Sequence, residues 1–420
     1  MVIEETKCRI CKGDLEVVLD LGSIYPSSFL RDDEKVSEDS KVPMVLAQCK
    51  ECGLVQLKHT LELDSMYRQY WYCSSLNKSM ISSLKEIADE IETKGYLKDF
   101  DLVLDIGCND GSLLDLFTKN LVKVGFDPAL NIKKPNCLFI NDYFTADKYF
   151  ETLHSQNLKA KVVTAIAMFY DLPDPHKFVQ DVVSVLQEDG VFVVQLTDLY
   201  SMMKINAFDN ICSEHIEYYK LSDIKSLMES EGLEIIDVSY NKVNGGSVRV
   251  TSSRRGVYPV SQDVDRLLNE EIKYFESHPN IFEDLKKVVE KTKKRIHALI
   301  NMISKGVGGE AGRKKIFILG ASTKGNTLLQ VCGITDKDIP YAGEVNKDKF
   351  GLRTVGSNIK IISEDELFSM LPEYLLVLPW HFLESLKEAK KIKNFMEAGG
   401  KLVVPLPEFK IYSKTGEWTI

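Results

Sequence analysis

Val103-Leu-Asp-Ile-Gly-Cys-Asn-Asp-Gly-Ser-Leu-Leu114 is the stretch on which the reading of this chain turns. Leu102 to Ile106 is a short apolar run carrying one acid, Asp105, the composition of a buried strand. Gly107 and Gly111 follow, with Asn109 between them, and Leu113-Leu-Asp-Leu-Phe117 resumes a helical spacing. A strand, a glycine loop and a helix in that order form a ligand cradle. The glycines let the backbone pass close beneath a bound molecule, and the helix start offers N–H donors. The spacing Gly107-x-x-x-Gly111 departs from the dinucleotide fingerprint Gly-x-Gly-x-x-Gly, so no phosphate has to be held. A nicotinamide-dependent enzyme remains the competing reading at this point.

Further strands are expected at Val122–Phe126, Cys137–Ile140, Val162–Ile166 and Val191–Gln195, with helical patterns between several of them. Such alternation predicts an α/β fold with an open, mostly parallel sheet. Ile235–Tyr240 and Ser247–Ser252 read as two more strands, joined through Asn244-Gly-Gly246. The second strand ends in Asp127, an acid placed to accept both hydroxyls of a ribose. The third ends in Asn141-Asp142-Tyr143-Phe144. Three strand ends of this kind are far more specific than one loop. Together they resemble a class I methyltransferase, with its doubly wound sheet. The resemblance implies S-adenosylmethionine held by Asp105, Gly107, Asn109, Gly111 and Ser112 at its amino-acid end. It also implies Asp127 at the ribose, Asp142 and Tyr143 at the adenine, and Ala167 after the fourth strand.

The 420 residues suffice for two to four domains. No apolar run reaches the roughly 20 residues of a membrane span, and the first residues lack a leader pattern. A cytoplasmic protein is expected, with no membrane partner. The net charge is −9 and no basic stripe is present, which argues against nucleic acid. Nine cysteines, an odd number, do not form a disulfide framework. Four lie in two knuckles, Cys8-x-x-Cys11 and Cys49-x-x-Cys52. Four thiolates from two tight turns suit a closed tetrahedral site, so the expected metal is structural Zn2+.

Boundaries are expected as a zinc-binding module at 1–75, too irregular to stand alone, and a methyltransferase domain at 76–255. A helical connector at 256–312 and a Rossmann-like domain at 313–420 complete the division. In the last of these, Gly320-Ala-Ser322-Thr-Lys324-Gly-Asn326 follows a strand and opens a helix. Its amides, Ser322 and Lys324 suit a pyrophosphate. Glu344 falls where such folds bind a ribose.

The chain as a whole resembles the sugar C-methyltransferases of deoxysugar pathways, the enzymes of tetronitrose and noviose type. The segments that carry this are the four cysteines, Tyr70-Trp-Tyr-Cys-Ser-Ser75, the motif around Gly107, and Phe208-Asp-Asn-Ile-Cys-Ser-Glu-His215. Asn244-Gly-Gly-Ser-Val-Arg249, the Gly320 loop, Trp380 and Pro405-Leu-Pro407 continue it. The resemblance implies methylation of a carbon next to a ketone, commonly C3 of a 4-keto-6-deoxy sugar carried on a nucleotide. A sugar carbon becomes a nucleophile only after its α-proton leaves, so a base and enolate-stabilising donors are required. It implies His215 as base with Glu214 supporting it, and Tyr72 and Tyr170 near the reacting groups. Asn244, Arg249, Ser322, Lys324 and Asn326 would hold the nucleotide-linked sugar. The chain is expected as a monomer or weak dimer. Two alternatives stand beside this: O- or N-methylation of a sugar or small metabolite, and a zinc-containing scaffold with a vestigial pocket.

Overall fold

The computed structural model describes residues 2–76, 78–305 and 315–419, and its chain divides into two compact units. The first comprises 1–16, 47–201 and 216–279, and the second 17–46, 202–215 and 280–420. Both are discontinuous in sequence, so they cut across the linear boundaries expected at 75/76 and 255/256. The expected boundary at 312/313, and most of the glycine-rich stretch before it, lies outside the described residues.

The first unit is built on a seven-stranded sheet. Its order is Leu233–Asn241, Ser247–Arg254, Leu186–Leu196, Ala160–Ile166, Leu102–Ile106, Val122–Phe126 and Leu138–Ile140. The five strands from Leu186 to Ile140 in this order run parallel, and Ser247–Arg254 is antiparallel to both of its neighbours. The strand that changes direction is also the one that closes the chain's path after Asn244-Gly-Gly246. The central strands are buried on both faces, which is why they read as continuous apolar runs. Phe169, fully buried, packs its ring 5.8 Å from Phe178, 6.3 Å from Phe192 and 5.4 Å from Tyr219. The helix Lys78–Thr93 covers the sheet through Ile87, Ala88 and Ile91. The α/β, doubly wound expectation is borne out.

The second unit holds a nine-stranded sheet. Its parallel centre is Lys401–Val404, Tyr374–Val377, Ile316–Leu319, Tyr341–Glu344 and Lys360–Ser363. Lys410–Ser413 and Gly416–Trp418 extend one edge. At the other, Phe29–Leu30 pairs with Arg353–Thr354. The N-terminal region is therefore less irregular than expected, since it carries strands at Leu15–Ile24 and Val42–Cys49. Phe29, within the module expected to be irregular, pairs with Thr354 at the far end of the sequence. The expected helical stretch resolves into Gln262–Ser277 and Ile281–Lys305, which fall in different units. Among the described residues, no helix is long and apolar enough to cross a membrane.

Candidate functional site

The loop after Leu102–Ile106 shows why its glycines are needed. Gly107 and Gly111 both sit at positive φ, 73° and 78°. A Cβ on Gly107 would lie 3.0 Å from the Met168 side chain, and one on Gly111 would lie 2.6 Å from Pro135. Asn109 shares the left-handed conformation, with φ 49°, which asparagine tolerates. Gly111 caps the helix Ser112–Leu116. Asp105 is fully enclosed beneath the loop and accepts from the Thr164 hydroxyl at 2.6 Å. Burial pushes its carboxyl up to about 7, the Thr164 hydrogen bond opposing and Asp127 adding to it.

Asp127 sits at the end of the neighbouring strand. One oxygen accepts from the Asn109 N–H and the other from the Ala129 N–H, both at 2.9 Å. Burial raises its pKa, and these two amides oppose the shift. Asp142 ends the third strand and bonds Lys148 at 2.5 Å. Although burial opposes ionisation of Asp142, Lys148 holds its carboxyl below the ordinary range. Ala167 follows the fourth strand at φ 55° and donates to the Gln195 carbonyl at 2.7 Å. Tyr170 is buried in the short turn Phe169–Asp171, and its carbonyl accepts from Ile216 N–H at 3.0 Å. The carboxyl ends of adjacent parallel strands thus converge Asp105, Asp127, Asp142 and Ala167 at one edge, the place where open α/β sheets bind ligands. Acids and glycines without a phosphate cradle fit a cofactor that presents a ribose and an amino acid.

The four cysteine sulfurs fit a metal equally directly. All lie within 4.8 Å of one another, with Cys8 and Cys52 at 3.5 Å and Cys11 and Cys49 at 3.3 Å. Positive φ at Lys12 and Gly53 closes the two knuckle turns. Four thiolates leave no open position, so such an ion is structural.

The remaining expected residues are distributed between the two units. Tyr72 is 38% exposed, and its carbonyl accepts from the Asn109 amide at 3.1 Å. Arg249 is buried in the first unit's sheet, where its Nε donates to Gln195 at 2.9 Å and its guanidinium pairs with Glu90. Asn244 lies in the turn before that strand at φ 54°. Ser322, Lys324 and Asn326 lie in the second unit with Glu214 and His215, so the structure does not gather the expected substrate set into one unit. Ser322 is occupied in capping the helix Thr323–Cys332, its hydroxyl accepting from Gly325 N–H at 3.0 Å. Glu344 accepts from the amides of Ala321, Val345 and Asn346, which braces the Gly320 loop.

Within the second unit, half-buried His215 and Lys324 and fully buried Asp209 belong to one polar group. The Asp209 carboxylate accepts from Trp380 Nε1 at 2.7 Å. Burial lowers the Lys324 pKa, which Asp209 partly offsets. Burial and then Lys324 push His215 down to about 3, and they do the same to His381. Burial also pushes Glu214 up to about 7. His215 Nδ1 lies 3.0 Å from the Asn210 carbonyl. Asn326 is 1% exposed, and among the described residues neither atom of its amide has a hydrogen-bond partner, nor has His381 Nδ1. Buried polar atoms left in this state are costly unless a ligand or water meets them. Sequence reasoning missed Asp209 and His381. Their signals were their positions, Asp209 inside the segment leading to His215 and His381 at the end of the strand Tyr374–Val377.

Three family models match the chain: a zinc binding domain over 8–67, a methyltransferase domain over 74–238 and a C-methyltransferase C-terminal domain over 242–407. The chain is an S-adenosylmethionine-dependent methyltransferase. The C-methyltransferase NovU of Streptomyces niveus is 29% identical to this methyltransferase over 415 residues, covering 97% of each. Solved structures with similarity include magnesium protoporphyrin IX methyltransferase of Synechocystis PCC 6803 with bound S-adenosylmethionine. That match has 14% identity, covers 41% of this chain and 79% of that one, and has a TM-score of 0.31. The plantazolicin methyltransferase BpumL matches at 13% identity, over 41% and 83%, also with a TM-score of 0.31. The methyltransferase carries structural zinc at Cys8, Cys11, Cys49 and Cys52, and its type of reaction is C-methylation. The expected family resemblance, cofactor and metal are borne out.

Proposed function

We propose that the enzyme C-methylates a nucleotide-linked keto-deoxysugar, at the carbon beside the ketone, through an enolate formed by His215. The observation that carries this is the hydrogen bond between His215 Nδ1 and the Asn210 carbonyl. A carbonyl only accepts, so Nδ1 carries the proton and the lone pair is on Nε2. Burial keeps the imidazole neutral at physiological pH, the state a general base requires. Lys324, coupled electrostatically to His215, supplies positive charge for the developing enolate oxygen or for the anionic sugar carrier. Either anion would offset the lysine's effect on His215 and make the imidazole a stronger base. Within the second unit, Asn326, whose amide atoms have no hydrogen-bond partner among the described residues, is assigned to the same substrate, and Glu214 to support of the base. S-adenosylmethionine, which Asp105, Asp127 and the Gly107–Gly111 loop would hold, would supply an electrophilic methyl, its methyl–sulfur bond breaking to leave S-adenosylhomocysteine. A cytoplasmic location and a small-molecule acceptor, without nucleic acid, complete the reading.

The test is solvent exchange of the substrate's α-proton, measured by mass spectrometry in deuterium oxide with a panel of dTDP-, CDP-, GDP- and UDP-keto-sugars. Exchange by the wild type and its loss in His215→Gln are expected. Methyl transfer to an acceptor with no exchangeable α-proton would overturn the enolate route and favour O- or N-methylation.

A further inference from the structure

Three of the strand-end loops at the cofactor edge are tied to one short segment, Glu62 to Ser75, that precedes the methyltransferase sheet in sequence. Its first tie is Arg68. The Arg68 carbonyl accepts from Leu130 N–H at 3.0 Å, and its guanidinium donates to the Pro128 carbonyl at 3.3 Å. The same guanidinium reaches Asp142 at 3.5 Å and lies 5.2 Å from the centre of the Tyr143 ring. The second tie is Tyr70, whose N–H and carbonyl are both bonded by the Asn131 amide, at 2.9 and 2.8 Å. The third is the Asn109–Asp110 corner. Asn109 donates to the Tyr72 carbonyl and accepts from Ser74 N–H, each at 3.1 Å. Asp110 accepts from Ser75 N–H at 3.0 Å.

Three of the loops expected to touch the cofactor therefore have a latch to this segment: 109–110 at the amino-acid end, 128–131 beside the ribose acid, and 142–143 at the adenine. Asp127 extends the linkage, because the amide it accepts from belongs to Asn109. A ribose engaging Asp127 would act on the residue that clamps Tyr72 and Ser74. The Tyr70–Asn131 and Ser75–Asp110 latches are exposed, those of Arg68 and Tyr72 are partly buried, and the Ser74–Asn109 bond is buried. Between 62 and 75 only Met66 and Ser74 are buried. A segment with so little buried apolar area opens at low free energy while the sheet beneath stays folded.

We propose that Glu62–Ser75 is the closing wall of the cofactor pocket and its gate, with Arg68, Asn131 and Asn109 as positioning residues that latch it. The wall carries Tyr72, so closing it also brings that residue to the cofactor edge. This rests on the cofactor assignment and not on the identity of the methyl acceptor.

The test uses the full chain with S-adenosylhomocysteine as probe. Hydrogen–deuterium exchange of the wild type, with and without the probe, is followed in peptides covering 62–75. Release of the probe is timed by stopped flow in Arg68→Ala and Asn131→Ala, with Trp71 inside the segment as the fluorescent reporter. Protection of 62–75 on binding, together with release accelerated threefold or more in both variants, is expected. A tenfold acceleration would correspond to about 1.4 kcal/mol of latch. Exchange in 62–75 unchanged by the probe would overturn the proposal whatever the variants do. So would release accelerated less than threefold in either variant.

Discussion

Gly111→Ala tests the physical account of the cofactor loop most directly. The new Cβ has two separate costs. Gly111 has φ 78°, and a left-handed conformation costs an L-residue about 1–2 kcal/mol. The Cβ would also lie 2.6 Å from Pro135 Cβ, an overlap in a packed region that costs about 1–3 kcal/mol to relieve. The sum is about 2–5 kcal/mol. Gly232→Ala in the same unit isolates the first cost, because Gly232 has φ 81° and nothing lies within 4 Å of where the added methyl would sit. The gain from a stiffer unfolded chain is common to both substitutions and cancels in the difference. The two variants should therefore differ by about 1–3 kcal/mol. At about 2–4 °C per kcal/mol for a unit of this size, Gly111→Ala should melt some 2–12 °C below Gly232→Ala by calorimetry. Binding of S-adenosylhomocysteine should weaken in Gly111→Ala and be retained in Gly232→Ala. Equal melting temperatures within about 1 °C would refute the close approach of Pro135 and the account of why this loop needs glycine.

Arg249→Met should destabilise the methyltransferase unit by about 1–3 kcal/mol, read from denaturant midpoints. It removes one of two cations from Glu90, which keeps Lys94 at 3.1 Å, and one of two donors to Gln195 Oε1, which keeps the Asn241 amide at 3.0 Å. Metal analysis should find about one zinc per chain, lost in Cys49→Ser together with thermal stability. The pH dependence has a defined sign. His215 and His381 titrate near 3 when folded, through burial and then Lys324, against about 6.5 when unfolded. Their contribution is complete above about pH 6.5 and is lost as pH falls toward 3, since the unfolded chain then takes up the protons. Glu214 runs the other way, its folded value of about 7 making it lose stability as pH rises from about 4.3. The double variant His215→Gln/His381→Gln should therefore show a flatter acid limb in denaturant midpoints than the wild type.

Much of the first unit was legible because its signals are local. Leu102–Ile106, Gly107, Gly111 and Asp127 declare a strand, a left-handed turn and, at the end of the next strand, an acid, all between residues 102 and 127. The order of those elements then determines which loops share an edge. The two cysteine knuckles are equally local, each a turn that can be read by itself, and thiolate chemistry supplies the link between them. These features would be read the same way in any chain, because they depend on backbone sterics and metal coordination.

What only the tertiary structure decided depends on pairings between distant segments. Nothing around Phe29 indicates that it adds a strand beside Arg353–Thr354. Nothing around Asn109 distinguishes an amide that touches a cofactor from one that clamps the backbone of Tyr72 and Ser74. Ser322 and Glu344 were read from their positions as ligand contacts, yet the fold commits one to a helix cap and the other to bracing the Gly320 loop. His215 was legible as a candidate base, but its tautomer required the Asn210 carbonyl, and its neutrality required burial beside Lys324. Composition and spacing specify which groups a chain possesses. Hydrogen-bond commitments and desolvation determine which of those groups can do chemistry, and both arise only when the chain has packed.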